Sequence, residues 1–161
     1  MGKRDFIGNR GQSLAHARLT ELCRTNGLPY FDAHFLGDKC PTFDFLVELV
    51  GAGERSPYFF VQVKATREGF TQANLPRLKV KVPKSDVRKM VLFRAPTYVV
   101  GVDEPGERAY IIAVYGTMKQ SISSMSTQHP LNPTSLKLLW EEVRDYWRGR
   151  NMHQGKSCFV N

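Results

Sequence analysis

Residues 59–66 read FFVQVKAT, and this run constrains the fold more than any other part of the chain. Aromatic and β-branched residues in a short run are typical of a buried strand. Gln62 and Lys64 interrupt the run two positions apart, so both side chains point to the same face of the strand. Tyr58 and Phe60 share that face, which makes it largely apolar. A lysine that approaches buried surface requires a partner or a function.

That strand is expected to pair with the one before it. TFDFLVELV, residues 42–50, has strand character, and GAGERSP, residues 51–57, has the composition of a turn. We therefore predict an antiparallel hairpin of residues 42–50 and 58–66. If the paired positions sum to about 108, Asp44 lies across from Lys64. An acid, an amide oxygen and a lysine would then converge on one point.

The rest of the chain alternates helical and strand patterns. An apolar stripe predicts a helix from Gly8 to Asn26, with Gly27 as its C-terminal cap. The other predicted elements are a strand at 28–36, a short helix from an N-cap at Ser85 to Phe93, and a hairpin of 97–103 and 108–115. The chain then forms a final helix. Asn132 caps this helix, Pro133 begins it, and its apolar stripe runs from Leu136 to Trp147. The order predicts an α/β fold in which helices cover one sheet. We expect a single domain over residues 1–150 and a frayed tail over 151–161.

Charge gives the first indication of a partner. The 23 Lys and Arg outnumber the 15 Asp and Glu, so the net charge is +8 and the pI is near 9.6. Such a balance favours polyanions. The basic residues available for nucleic-acid phosphates just after the FFVQVKAT run are Arg67, Arg77, Lys79, Lys81 and Lys84. The alternative interpretation is a solvated edge strand that lysines protect against aggregation.

Composition excludes several classes of protein. Cys23, Cys40 and Cys158 form no CxxC pair, so we expect neither a disulfide framework nor a cysteine-based zinc site. No apolar run approaches the roughly 20 residues of a membrane helix. The first residues lack the apolar segment of a secretory signal. We therefore expect a cytoplasmic protein with no membrane partner.

An acidic residue that opens one strand, followed by a (D/E/Q)-x-K triplet on the next, resembles the PD-(D/E)XK nuclease superfamily. The motif here is PTFD, residues 41–44, followed by VQVKA, residues 61–65. Residues 7–22 are similar to the first helix of the Holliday-junction-resolvase-like branch and of a bacterial family of unknown function, whose later strand pair resembles residues 96–112. The resemblance implies a restriction-endonuclease-like α/β/α core with a mixed central sheet flanked by helices.

The resemblance also implies metal-assisted hydrolysis of phosphodiesters, with DNA as the expected substrate. Asp44, the Gln62 side-chain oxygen and the Val63 carbonyl would hold Mg²⁺ or Mn²⁺, cations that prefer oxygen ligands. Lys64 would position or deprotonate the attacking water and offset charge in the transition state. Related enzymes often act as dimers because two strands must be cut, so a homodimer is compatible with this interpretation.

Two positions depart from the family pattern. Gln62 stands where many members have an acid, and Gln12 stands where the helix usually carries Glu. Asp44 is then the one formal carboxylate of the site. The further candidates for the site are Asp32, Asp38 and His16. The alternative function is a nuclease-fold protein or subunit that binds nucleic acid without cutting it, and a third is a basic module that binds a protein partner.

The simplest structural interpretation assigns these residues no role in function. Gln62 and Lys64 would then form the solvated face of an amphipathic strand, and Asp44 would be a turn residue.

Overall fold

The computed structural model describes residues 2–116, 120–149 and 157–161 of the chain. Its helices and strands, in chain order, are α1 (Lys3–Leu19), β1 (Phe31–Phe35), β2 (Phe45–Leu49), β3 (Tyr58–Thr66), α2 (Lys84–Leu92), β4 (Thr97–Asp103), β5 (Arg108–Ala113) and α3 (Pro133–Trp147). A short 3-10 turn, Gly37–Lys39, lies between β1 and β2. The predicted order of helix, three strands, short helix, two strands and helix is confirmed.

The five strands form one sheet in the order β1-β2-β3-β4-β5. β3 and β4 are parallel, whereas the other three neighbouring pairs are antiparallel. A parallel pair requires a crossover connection, and α2 lies in the connection between β3 and β4. The chain is therefore an α/β protein with a five-stranded mixed sheet and three helices.

The two faces of the sheet are covered differently. On one face α1 and α3 pack through Ala15, Leu19, Leu136, Leu139 and Val143. On the other face α2 packs together with two extended segments, residues 78–82 and 122–125. These segments exchange backbone hydrogen bonds. The buried side chains of the first segment are Leu78, Val80 and Val82, which confirms the alternation seen in the sequence.

The register of β2 and β3 differs from the predicted one. Phe45 lies opposite Val61 and Glu48 lies opposite Tyr58, and Asp44, just before β2, donates its backbone N–H to the Val61 carbonyl at 2.9 Å. The prediction was wrong by two residues because it centred the loop one position too late. Asp44 therefore does not lie across from Lys64.

Helix α1 begins and ends earlier than predicted. Its buried stripe is Gly11, Ala15 and Leu19, and Leu22, which was expected to continue the stripe, is 69% exposed. The helix ends at Thr20, whose φ of −99° and ψ of 15° depart from helical values and whose hydroxyl donates to the His16 carbonyl. Gly27 is therefore not the helix cap, although its φ of 75° places it in a turn.

The start of α2 also differs by a small shift. Its N-cap is Pro83, with φ −60° and ψ 151°, and Ser85 lies inside the first turn. The consequence matters for the site, because Asp86 then belongs to the first turn of the helix that crosses the sheet.

Helix α3 begins as predicted. The Asn132 side chain accepts a hydrogen bond from the Ser135 N–H at 2.9 Å, and Pro133 is the first helical residue. The Trp140 and Trp147 indoles donate to the carbonyls of Val50 and Tyr58. The helix therefore binds the two ends of the loop between β2 and β3.

Residues 157–161 are anchored to the core instead of frayed. Phe159 is fully buried, and its carbonyl accepts from the Ala113 N–H at 2.8 Å. Glu142 accepts hydrogen bonds from the Tyr98 hydroxyl and from Ser157. Burial and the Glu142 carboxylate raise the pKa of Tyr98 well above its ordinary value. The remaining part of the predicted tail, 151–156, lies outside the described residues.

Candidate functional site

Strand β3 places the Gln62 and Lys64 side chains on the face of the sheet that α2 covers. Gln62 is only 4% exposed, whereas the Lys64 side chain is 30% exposed. Phe60, on the same face, packs against the core beneath α2. An amphipathic strand with a solvated polar face does not describe this arrangement, because the Gln62 amide is buried.

Asp44 lies immediately before β2 and joins three elements. Its Oδ1 accepts a hydrogen bond from Gln12 Nε2 of α1 at 2.6 Å. Its Oδ2 accepts from the Val63 backbone N–H of β3, also at 2.6 Å. We call Gln12, Asp44 and the Val63 peptide the Asp44 group. Both oxygens of its carboxylate have a short hydrogen bond.

The Gln62 amide is held by two oxygen acceptors. Its Nε2 donates to the Thr42 carbonyl and to Asp86 Oδ2, each at 3.0 Å. Two acceptors at one end of the amide identify that end as the nitrogen. The other end, Oε1, is buried and has no hydrogen-bond partner among the described residues. This atom is the least satisfied polar group of the site.

Lys64 completes this second cluster. Its Nζ lies 3.8 Å from Asp86 Oδ2, the same oxygen that accepts from Gln62. We call Gln62, Lys64 and Asp86, with the Thr42 carbonyl, the Gln62 group. Sequence reasoning missed Asp86, although an acid in the first turn of a helix that must cross β3 and β4 was a usable signal.

The predicted meeting of Asp44, Gln62 and Lys64 is therefore divided between two groups. Within residues 2–116, 120–149 and 157–161, no side-chain hydrogen bond or ion pair links Asp44 to Gln62 or to Lys64. The two groups instead share consecutive residues of β3: Val63 bonds to Asp44, whereas Gln62 and Lys64 on either side of it contact Asp86. The Val63 backbone N–H donates to Asp44. A metal-binding role of the Val63 carbonyl stays a prediction.

The other acids and the histidine weighed from the sequence lie elsewhere. Asp32, His34 and Glu48 form an exposed group on β1 and β2, with His34 Nε2 3.0 Å from Glu48 and 3.5 Å from Asp32. Asp38 is exposed in the 3-10 turn. The His16 ring packs on Phe45 at 5.8 Å between centroids. No hydrogen bond or ion pair in the described part of the chain joins these residues to the Gln62 group.

An open cleft of about 380 Å³ adjoins the Gln62 group. Three lysines line it, Lys64, Lys79 and Lys81, and we call it the lysine cleft; Thr66, Glu68 and Ser123 also contribute to its walls. Lys79 and Lys81 are exposed. Three ammonium groups around one cleft favour an anionic ligand, in spite of the single acid on the wall.

The remaining basic residues predicted to bind nucleic acid divide by their contacts. Arg67 Nε lies 2.8 Å from Glu104 Oε2. Arg77 donates to Ser124 and Asn161, which holds the end of the chain against the segment before α2. Lys84 is exposed at the start of α2. The two arginines therefore have structural partners, whereas Lys79 and Lys81 face the cleft.

Comparison with known proteins gives no identification. No family model matches the chain, and no curated protein or solved structure matches it significantly. In the part of the chain that the structure describes, no helix is long and apolar enough to cross a membrane. The interpretation of the site therefore depends on its residues and their geometry.

Proposed function

We propose that this chain is a metal-dependent nuclease of the restriction-endonuclease-like fold that hydrolyses phosphodiester bonds, with DNA as its expected substrate. One observation carries the proposal: Lys64 belongs both to the Gln62 group and to the wall of the lysine cleft. A phosphate bound in that cleft would contact Lys64, whose Nζ also lies 3.8 Å from Asp86 Oδ2 of the group. The element order from α1 to β4, with a parallel β3–β4 pair, supports the same fold.

The residues of the site fit a hard divalent cation. Gln62 Oε1 is a buried oxygen with no partner among the described residues, and the carboxylates of Asp44 and Asp86 accept hydrogen bonds from the Val63 N–H and the Gln62 amide of β3. Oxygen donors of this kind suit Mg²⁺ or Mn²⁺. When bound, the cation would polarise a phosphoryl oxygen and lower the pKa of a bound water.

The chain's own residues have separate tasks in this mechanism. Lys79 and Lys81 bind the phosphate backbone electrostatically, so their contribution weakens as salt rises. Lys64 donates to the phosphate that reacts and offsets the charge that develops on it. Asp86 Oδ2, at 3.8 Å, holds the Lys64 ammonium at the edge of the cleft.

A nuclease assay with matched lysine variants tests the proposal. Lys64→Ala should reduce Mg²⁺- or Mn²⁺-dependent cutting by roughly 10²–10³-fold, the usual effect of removing one transition-state donor. Lys89→Ala, which removes an exposed lysine from α2, should cut like the wild type. The double variant Lys79→Ala/Lys81→Ala should lower the slope of log affinity against log salt by about 2.

A second function is favoured by one observation. Both oxygens of the Asp44 carboxylate already accept hydrogen bonds, and the other two polar residues near it, Gln12 and Gln62, are neutral. This arrangement suits a nucleic-acid-binding protein that does not cut. The same assay separates the two functions, because a protein that binds DNA in a salt-sensitive way and never cuts it contradicts the nuclease proposal. A chain with no affinity for nucleic acid contradicts both and favours a protein partner.

A further inference from the structure

The two edges of the sheet are covered to different degrees. Along β5, the Ile111 N–H donates to the His129 carbonyl and the Ala113 N–H donates to the Phe159 carbonyl, so later segments of the chain bond to that edge. β1 pairs with β2 alone, and no described segment bonds to its other side. An open edge of this kind is a template for pairing with another chain.

The hydrogen bonds at the two ends of β1 show which of its backbone groups face the open side. The Val50 N–H donates to the Tyr30 carbonyl, and the Leu36 N–H donates to the Asp44 carbonyl, each at 2.9 Å. Only alternate residues of an antiparallel pair exchange hydrogen bonds, so the even positions from 30 to 36 bond to β2. The odd positions 31, 33 and 35 therefore turn their N–H and C=O groups to the open edge.

β1 lacks the features that usually protect an open edge. Natural edge strands carry lysine, proline or a bulge, whereas Phe31–Phe35 reads FDAHF. In a chain of net charge +8, no lysine or arginine lies between Arg24 and Lys39. Phe35, at the end of the strand, is 59% exposed. A second copy of the chain can therefore approach along this edge without repulsion between basic surfaces.

One register satisfies the backbone and the side chains of two copies together. With Ala33 opposite Ala33 of the second copy, positions 31, 33 and 35 all fall in hydrogen-bonded pairs, which gives about six backbone hydrogen bonds. Asp32 then lies opposite His34 in both halves, so each carboxylate meets an imidazole that can donate to it. A shift by two residues would place Asp32 opposite Asp32, or His34 opposite His34, and would form fewer bonds.

We propose that two copies of this chain pair through β1, antiparallel about a two-fold axis at Ala33, and join their sheets into one continuous sheet. The interface is isologous, since the same strand serves both copies. Phe35 would lie opposite Phe31 of the second copy and lose part of its contact with water. The inference does not rest on the proposed function, because it follows from the open edge and the side chains of β1.

Size-exclusion chromatography with light scattering, over a dilution series of the full chain, tests the pairing. The parent protein should have twice the chain mass of 18.3 kDa. Phe35→Lys places an edge-protecting charge on β1 and should reduce the mass to that of one chain. Leu92→Lys adds the same charge at a leucine of α2 that is 81% exposed, and it should remain dimeric.

Asp32→Cys and His34→Cys, prepared as separate proteins, test the register. Both positions are exposed, so each variant should fold. Opposite residues of a pair without hydrogen bonds have Cα atoms about 4.5 Å apart, within the range of a disulfide. Oxidation of an equal mixture should therefore bridge positions 32 and 34, as located by mass spectrometry of the linked peptides. Neither variant alone should bridge its own position, because the two-fold axis places equivalent residues diagonally.

A parent protein with the mass of one chain, a Phe35→Lys variant that stays dimeric, or an oxidised mixture without the bridge between positions 32 and 34 would each overturn the inference. These outcomes are separate from the nuclease proposal. A monomeric parent protein that cuts DNA leaves the nuclease proposal standing, and a dimeric parent protein that never cuts leaves the pairing through β1 standing.

Discussion

The Asp44 group and the Gln62 group lie on adjacent residues of β3, yet their polar atoms are satisfied to different degrees. In the Asp44 group, both carboxylate oxygens accept hydrogen bonds of 2.6 Å, from α1 and from β3. In the Gln62 group, one buried oxygen has no partner among the described residues, and the lysine lies 3.8 Å from its acid. The first group therefore joins α1 to β3, whereas the second leaves one acceptor oxygen open among the described residues.

The largest expected effect on stability comes from replacing Asp44, and Asp86 provides the comparison. Asp44→Ala would leave the Val63 N–H and the Gln12 amide without their acceptor. Hydrogen bonds to charged groups contribute about 1.5–3 kcal/mol each, so we expect Asp44→Ala to lower the free energy of unfolding by roughly 3 kcal/mol. Asp86→Ala should cost about 1 kcal/mol, because it removes one hydrogen bond and a weak ion pair.

Urea denaturation in EDTA measures both values without a contribution from divalent cations. Lys64→Ala is a useful reference, since it removes the other partner of Asp86 and leaves the Asp44 group intact. The contrast between the two groups would be lost if Asp86→Ala destabilised the protein as much as Asp44→Ala.

The next effect concerns the contact that holds α1 on β3. A Cβ added to Gly11 would lie 2.4 Å from Ala65 Cβ, far inside van der Waals contact. Gly11→Ala should therefore move α1 away from β3 and stretch the bond between Gln12 and Asp44. Overpacking typically costs 1–3 kcal/mol, so we expect a loss of about 2 kcal/mol.

The same helix provides the control for this substitution. A Cβ added to Gly8 meets nothing within 4 Å, so Gly8→Ala should stabilise the protein by up to about 1 kcal/mol through helix propensity. Thermal or urea unfolding gives both values. Because α1 has no residue in the Gln62 group, Gly11→Ala should leave the Mn²⁺ affinity of the folded protein unchanged, and a parallel loss of affinity would show that the groups are one site.

Local patterns predicted the strands well. The aromatic and β-branched residues of 58–66 predicted a strand with the bounds that β3 has, Tyr58–Thr66. The predicted strand at 97–103 likewise matches β4, Thr97–Asp103. Every residue of β4 is buried and no residue of β3 is fully exposed, so that the sequence of both strands reflects their environment. The end of α1 was not predictable in this way, because Leu22 continues the apolar stripe although Thr20 ends the helix.

The site was predictable only in part, for a physical reason. Gln62 and Lys64 share a strand, so their common face follows from the period of two alone. Asp86 joins them from a helix that begins 18 residues beyond β3, and its position depends on how α2 docks on the sheet. A shift of two residues in the β2–β3 register likewise depends on the geometry of the loop, which the composition of residues 51–57 does not determine.

The smallest expected effect compares the two glutamines. Gln62→Met removes two hydrogen bonds of Nε2, but it also removes a buried oxygen that has no partner in the described part of the chain. An unsatisfied buried polar atom costs about 1–3 kcal/mol, so loss and gain nearly cancel and the free energy of unfolding should change by less than about 1 kcal/mol. Gln12→Met removes a charge-assisted bond at 2.6 Å without such relief, and should cost about 1.5–2 kcal/mol. Measured in EDTA, a large cost for Gln62→Met would mean that Oε1 is already paired with an ordered water, and the Gln62 group would then be as complete as the Asp44 group.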